Sequence, residues 1–167
     1  MQTRKFRQSF YAALALLAVM AMTAAGAADV FPSPSPSPAA AIAKPDRMAV
    51  AREAIKAKDW KKSVAELRVA VAEQPSNADA HNLLAYSYRK QAVPDLSKAF
   101  EHYNTALKIN PNHKGANEYI GEAYLMSNNL VKAGEHLARL KAICGNAPCE
   151  EYEDLAKSIA AFKAKNN

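Results

Sequence analysis

From Lys44 to the C-terminus, apolar residues recur at intervals of three and four, the period of amphipathic helices. Met48, Ala51 and Ile55 form one such run and Val64, Leu67 and Val71 a second, with Asp59-Trp60 between them where a tight inter-helix turn is needed. His81, Leu84, Ala85 and Tyr88 make a third stripe, and Ala99, Tyr103 and Ala106 a fourth that closes at Pro111. Ile120, Gly121 and Tyr124 begin the next pair, which turns at Ser127-Asn128-Asn129 and continues through Ala133, Leu137 and Leu140. A last stripe, Tyr152, Leu155, Ile159 and Phe162, follows Pro148, Glu150 and Glu151, residues suited to a helix start. The pattern predicts an all-α protein of paired helices with one unpaired helix at the end.

The pairs are copies of one another. Tyr88 and Tyr124 occupy the same slot 36 residues apart, each three or four residues after a small or apolar core position. Taking Pro75 and Pro111 as closing prolines gives repeats over 44–77, 78–113 and 114–145, with 146–167 left as a capping helix. The middle repeat runs 36 residues from Pro75 to Pro111. The usual unit of this kind has about 34. The two extra residues fall in Gln91-Ala92-Val93-Pro94-Asp95, since Pro94 cannot sit inside a helix.

These residues resemble the tetratricopeptide repeat, and most completely so between Ala78 and Pro111. The resemblance implies a right-handed superhelical array of about three helix-turn-helix repeats plus a C-terminal capping helix. It also implies a concave groove, lined by the first helix of each repeat, that holds an extended peptide or a partner helix, and no catalytic chemistry. Arg47 departs from the pattern at a position usually held by tryptophan, as an end repeat without a preceding neighbour allows. The closing segment, with its cysteine pair before Glu150-Glu151-Tyr152, is similar to that of small exported bacterial members of the family.

Upstream of the repeats the pattern changes twice. Residues 1–28 read as an export signal: Arg4, Lys5 and Arg7 precede the apolar run Tyr11 to Met22, and Ala25 to Ala28 offer a small-x-small cleavage site. The alternative is a retained inner-membrane anchor facing the periplasm, because Tyr11 to Ala28 is an uncharged stretch of 18 residues. Residues 29–43 form a linker in which Pro32, Pro34, Pro36 and Pro38 alternate with serines, a composition for polyproline II. The expected location is therefore the periplasm or the exterior.

Charge excludes little beyond nucleic acid. The formal net charge is +6, and removing Arg4, Lys5 and Arg7 with the signal leaves about +3. Lysines alternate with glutamates along most helices instead of gathering on one basic face. The expected partner is a protein or peptide.

Candidate chemistry is sparse. Cys144 and Cys149, an even pair around Gly145 and Pro148, point to a local disulfide in an oxidising compartment. The alternative is an accessory to an envelope redox or assembly enzyme acting through these two residues. His81, His102, His113 and His136 share no spacing that joins them to the cysteines, so no metal and no cofactor is expected. No phosphate loop, nucleophile elbow or paired-carboxylate motif occurs, and Glu118 with Glu122, one helical turn apart, lacks a nucleophile beside it. No catalytic residue is assigned. Helix geometry aligns Met48, Arg52 and Ile55 with Asn82, Tyr86 and Arg89 and with Glu118, Glu122 and Leu125 as one groove surface, basic toward the first repeat and acidic toward the third. Family members that clamp a terminal carboxylate place lysine, asparagine and arginine where this chain has Met48, Leu83, Gly115 and Tyr119. An internal segment or a helix, not a free carboxyl terminus, is the expected ligand.

Overall fold

The computed structural model describes residues 46–147 and 149–166, and these form seven helices: α1 (Arg47–Lys56), α2 (Trp60–Glu73), α3 (Ala78–Lys90), α4 (Leu96–Ile109), α5 (Lys114–Met126), α6 (Leu130–Cys144) and α7 (Glu150–Asn166). The expected signal, cleavage site and proline-rich linker lie outside the described residues. The all-α class expected from periodicity holds.

Each of the first six helices begins where a side chain can replace a missing backbone acceptor. Asp46, Asp59, Asn77, Asp95 and Asn129 accept from backbone N–H groups one turn on, and His113 does the same through Nδ1. Since that ring nitrogen accepts, the ring proton of neutral His113 sits on Nε2, which donates to Asp79 Oδ1 at 2.9 Å. The cap of α5 is thereby tied to the first turn of α3.

Three hairpins, α1/α2, α3/α4 and α5/α6, are closed by the same bond. The N-cap N–H of each second helix donates to the carbonyl at one slot of the first: Asp59 to Ala54 at 2.8 Å, Asp95 to Tyr88 at 3.2 Å and Asn129 to Tyr124 at 2.8 Å. In the first and third hairpins the preceding residue reaches this geometry with positive φ, 56° at Lys58 and 61° at Asn128. The second hairpin uses its insertion instead. Residues 91–95 loop outward, leaving Val93 83 % exposed, and the closing bond survives.

A second bond is repeated with different chemistry each time. Arg47 Nη1 donates to Glu66 at 2.8 Å in the first hairpin, His81 meets His102 at 3.1 Å in the second, and His136 meets Asn117 at 3.0 Å in the third. These are the same two positions of the repeat. The imidazoles of His102 and His136 also stack on Tyr88 and Tyr124, with centroids 6.0 and 5.7 Å apart.

The core follows the stripes. Ala51, Leu67, Leu84, Ala85, Tyr103, Ile120 and Ala123 are buried in one cluster spanning the hairpins. Leu125, Ala133, Leu140, Leu155 and Ile159 make a second cluster beneath α7. Helix α7 packs on both α5 and α6, the place a following repeat's first helix would take. Gly121 permits this: a Cβ there would lie 2.6 Å from Leu155 Cδ2.

Candidate peptide-binding face

The side chains expected to line a groove are distributed unevenly. Arg52 is exposed on α1 and takes no part in the contacts among the others. Tyr86 on α3 is half-buried, with its ring 4.8 Å from Tyr119 of α5 and 6.0 Å, edge-on, from Trp60 at the start of α2. These three aromatics form the large amphipathic contact area of the face.

Arg89 differs from the expectation of a groove cation. It is only 6 % exposed, forms an ion pair with Glu122 at 2.6 Å, and donates from Nε to the Tyr103 hydroxyl at 3.3 Å. Its guanidinium also sits over the Tyr86 and Tyr119 rings at 5.4 and 5.6 Å. Burial works against its charge, but Tyr103 and Glu122 more than offset this and hold its pKa above the ordinary value. Burial raises the Tyr103 phenol well above its ordinary pKa, so that group stays protonated. The basic-to-acidic gradient is therefore interrupted at α3, where the arginine is neutralised by its neighbour.

Two further residues are covered. Leu125 is buried with α6 and α7, so it belongs to the core and not to the face. Asn82 is 5 % exposed, with its Oδ1 buried and without a hydrogen-bond partner.

The third repeat carries the least ordinary group. Glu118 is 7 % exposed and forms no hydrogen bond or ion pair. Burial, reinforced by Glu122, Asp154 and Glu151, pushes its pKa up to about 8, so at neutral pH it is largely protonated. Tyr119 beside it is raised to about 12 by burial and by Glu118. Glu122 accepts from Ser158 of α7 at 3.3 Å as well as from Arg89. Helix α7 thus does more than cover an edge. It adds Glu151, Asp154 and Ser158, a polar stripe at helical spacing, to the side where Glu118 and Glu122 lie.

The sequence matches the tetratricopeptide repeat family over residues 49–114 and 91–148. The chain belongs to that family. Among solved structures it is similar to the TPR2B domain of yeast Sti1 in its pHsp70 complex, at 15 % identity and a TM-score of 0.64, covering 71 % of this chain and 94 % of that one. It is also similar to the type III secretion translocator chaperone SycD of Yersinia enterocolitica, at 12 % identity and a TM-score of 0.63, covering 72 % of this chain and 83 % of the other. No curated protein matches significantly. At these identities the structural likeness speaks for the fold, a superhelical tetratricopeptide array with an added C-terminal helix.

In this tetratricopeptide array α1, α3 and α5 are the first helices of the three repeats, and α7 stands next in their row. A module of this family is an interaction scaffold for a protein partner. Cys144 and Cys149 lie at the junction of α6 and α7 with their sulfurs 2.02 Å apart, so the pair sits at the helix boundary and not on the aromatic face. Among the described residues, no group of three or more His, Cys, Asp or Glu side chains is arranged to hold a metal ion, and no helix is long and apolar enough to cross a membrane.

Trp60 and the α7 stripe join this face without having been expected there, and Tyr119, expected at a groove position only as lacking a carboxylate clamp, supplies one of its rings. The signal was present in the spacing of Glu151, Asp154 and Ser158, but it becomes a groove signal only once α7 is placed beside α5.

Proposed function

We propose that this protein is a non-enzymatic scaffold of the bacterial envelope, exported by cleavage near Ala28, that holds an internal peptide segment or a partner helix along the row α1, α3, α5 and α7. The observation that carries the reading is the half-buried Tyr86 on the first helix α3, flanked by the partly exposed rings of Trp60 and Tyr119. Large amphipathic rings at the centre of a surface are the usual anchors of protein partners. Arg52 adds an exposed cation at one end of the row, and Glu151 and Asp154 of α7, beside Glu118, make the other end acidic.

Both similar structures are of proteins that engage a protein partner, pHsp70 for the Sti1 domain and translocators for the chaperone SycD. That supports a protein ligand here without naming it. The positions of Met48, Leu83, Gly115 and Tyr119 lack the basic and amide side chains that clamp a terminal carboxylate, which favours an internal segment.

The test places a photo-crosslinking amino acid at Tyr86 and, separately, at Lys98 on the exposed side of α4, in cells that express the protein. Adducts from position 86 that are absent from position 98 support the reading. Equal labelling from both, or labelling from position 98 alone, removes it.

A further inference from the structure

On the row of first helices the buried Asn82 Oδ1 and Arg47 Nε lack hydrogen-bond partners, and the 7 % exposed Glu118 makes no hydrogen bond or ion pair either, so unpaired oxygens stand on α3 and α5 and an unpaired donor on α1. Burying such groups unpaired costs free energy that a ligand's donors restore. Around Glu118 stand Glu122, Glu151 and Asp154, with Arg89 the cation that faces it, while Lys90 Nζ lies farther along α3, 5.8 Å from the Tyr86 ring centroid. The Arg89 charge is already committed to Glu122. The α5/α7 end of the face therefore carries a surplus of negative charge and of acceptors. No three of these carboxylates are arranged for a metal ion.

We infer that this end of the face is a subsite for a cationic side chain, a lysine or arginine of the bound segment, received by Glu118, Asp154 and Glu151 beside the Tyr86–Tyr119 pair. Ammonium and guanidinium groups are donors without acceptors, the complement of what the site leaves unpaired. The aromatic rings accommodate the aliphatic stem of such a side chain. Arg89 does not repel the ligand strongly, because Glu122 neutralises it across 2.6 Å.

The subsite rests on the peptide-holding role proposed above and adds the chemistry of the peptide. It also makes binding linked to protons. A cation placed at Glu118 favours the carboxylate, so the carboxyl, with its midpoint near 8, loses a proton as ligand enters. The charged groups facing it are Glu122 on its own helix, Glu151 and Asp154 on α7, and Arg89 on α3, with the phenols of Tyr86 and Tyr119 close by.

The experiment selects a random peptide display library against the protein and titrates the enriched peptides by fluorescence anisotropy. The expected ligands carry a lysine or arginine at a fixed position. They lose ~tenfold or more in affinity in Glu118→Gln and in Asp154→Asn, and are unaffected by Lys98→Ala. Because Asp154 is exposed, its substitution leaves folding intact. Affinity for the unaltered protein rises by up to ~tenfold per pH unit below the Glu118 midpoint, and this slope is absent in Glu118→Gln. Ligands that lack a basic residue yet depend on Tyr86 overturn the cationic subsite and leave the groove standing. Ligands indifferent to both Tyr86 and Asp154 overturn the groove itself.

Discussion

His81 and His102 meet Nδ1 to Nδ1 at 3.1 Å across the second hairpin, and the proton between them can be assigned. His81 Nε2 lies 3.1 Å from the Pro75 carbonyl, which can only accept, so the His81 proton is on Nε2 and its Nδ1 is a lone pair. His102 is then the donor. The third hairpin builds the same chain: His136 donates to Asn117 Oδ1, while Asn117 Nδ2 donates to the Pro111 carbonyl at 3.2 Å. Both closing prolines, Pro75 and Pro111, are thus wired through a first-helix side chain of the following hairpin to its second-helix imidazole.

Acid should loosen both chains. Burial, and for His102 also the neighbouring His81, depresses the pKa of His102, and burial depresses that of His136. A group whose folded pKa lies below its unfolded value of 6.5 contributes stability that is present above that value and is lost as pH falls toward the folded pKa. The melting temperature is therefore expected to fall as pH drops below about 6.5. Joint His102→Gln and His136→Gln substitution should flatten that fall. Identical acid slopes in both proteins would show that these imidazoles do not titrate with unfolding.

Glu118 acts in the opposite sense. Its folded pKa of about 8 lies above the ordinary carboxyl value of 4.5, so its contribution is complete below 4.5 and is lost as pH rises through about 8. Glu118→Gln, which keeps the shape of the neutral acid, should be more stable than the unaltered protein at pH values above the midpoint and close to it in mild acid. Thermal melts of the two proteins across that window check the sign.

Much of this architecture was legible because repetition multiplies weak signals. Tyr88 and Tyr124 in one slot, small residues such as Ala85 and Gly121 in another, and Pro94 inside a spacing too long by two residues locate the hairpins without coordinates. The paired positions were not legible, because the repeat conserves a contact and not a residue type: Arg47–Glu66, His81–His102 and Asn117–His136 share no chemistry beyond donor and acceptor. The 34-residue interval between His102 and His136 was the available clue. Helical spacing puts Arg89 and Leu125 in the groove set by their three- and four-residue intervals alone. It could not show that Tyr103 and Glu122 would bury the first and α7 the second.

Helix α7 is held by close approach at Gly121. Alanine in a helix interior is ordinarily favoured over glycine by roughly 0.5–1 kcal/mol. Here the added Cβ would meet Leu155 at 2.6 and 2.8 Å, and Leu155 is fully buried. Overpacking of this kind costs about 1–3 kcal/mol, so Gly121→Ala should be net destabilising. A melting temperature equal to or above that of the unaltered protein would mean that α7 moves away at no cost.

The same helix is tethered by Cys144 and Cys149, five positions apart. In the chain-entropy picture, a bridge closing so short a loop contributes about 2 kcal/mol. Joint Cys144→Ser and Cys149→Ser substitution should lower the melting temperature by several degrees and raise amide exchange in α7 first. Because neither sulfur belongs to the aromatic face, crosslinking from Tyr86 should persist. Loss of crosslinking with unchanged stability would instead point to the cysteine pair as the working group.

The loop of the second hairpin allows the repeat grammar itself to be tested. In the short hairpins the residue before the second-helix N-cap has positive φ, at Lys58 and Asn128, and the N-cap N–H then reaches the first-helix carbonyl. In the long hairpin Ala92, Val93 and Pro94 stand in place of that single residue, and Asp95 still bonds to Tyr88. Replacing the three with one asparagine should restore a 34-residue unit. Asparagine tolerates the left-handed conformation, and Gln91 has only to turn from extended to helical backbone. Stability should change little, since surface alterations away from special features are usually worth within about 0.5 kcal/mol. Deleting Ala92 and Val93 while keeping Pro94 should fail, because proline's φ is locked near −65° and cannot become positive. If both shortened chains melt alike, the closing bond from Asp95 to Tyr88 is not what sets the length of this turn.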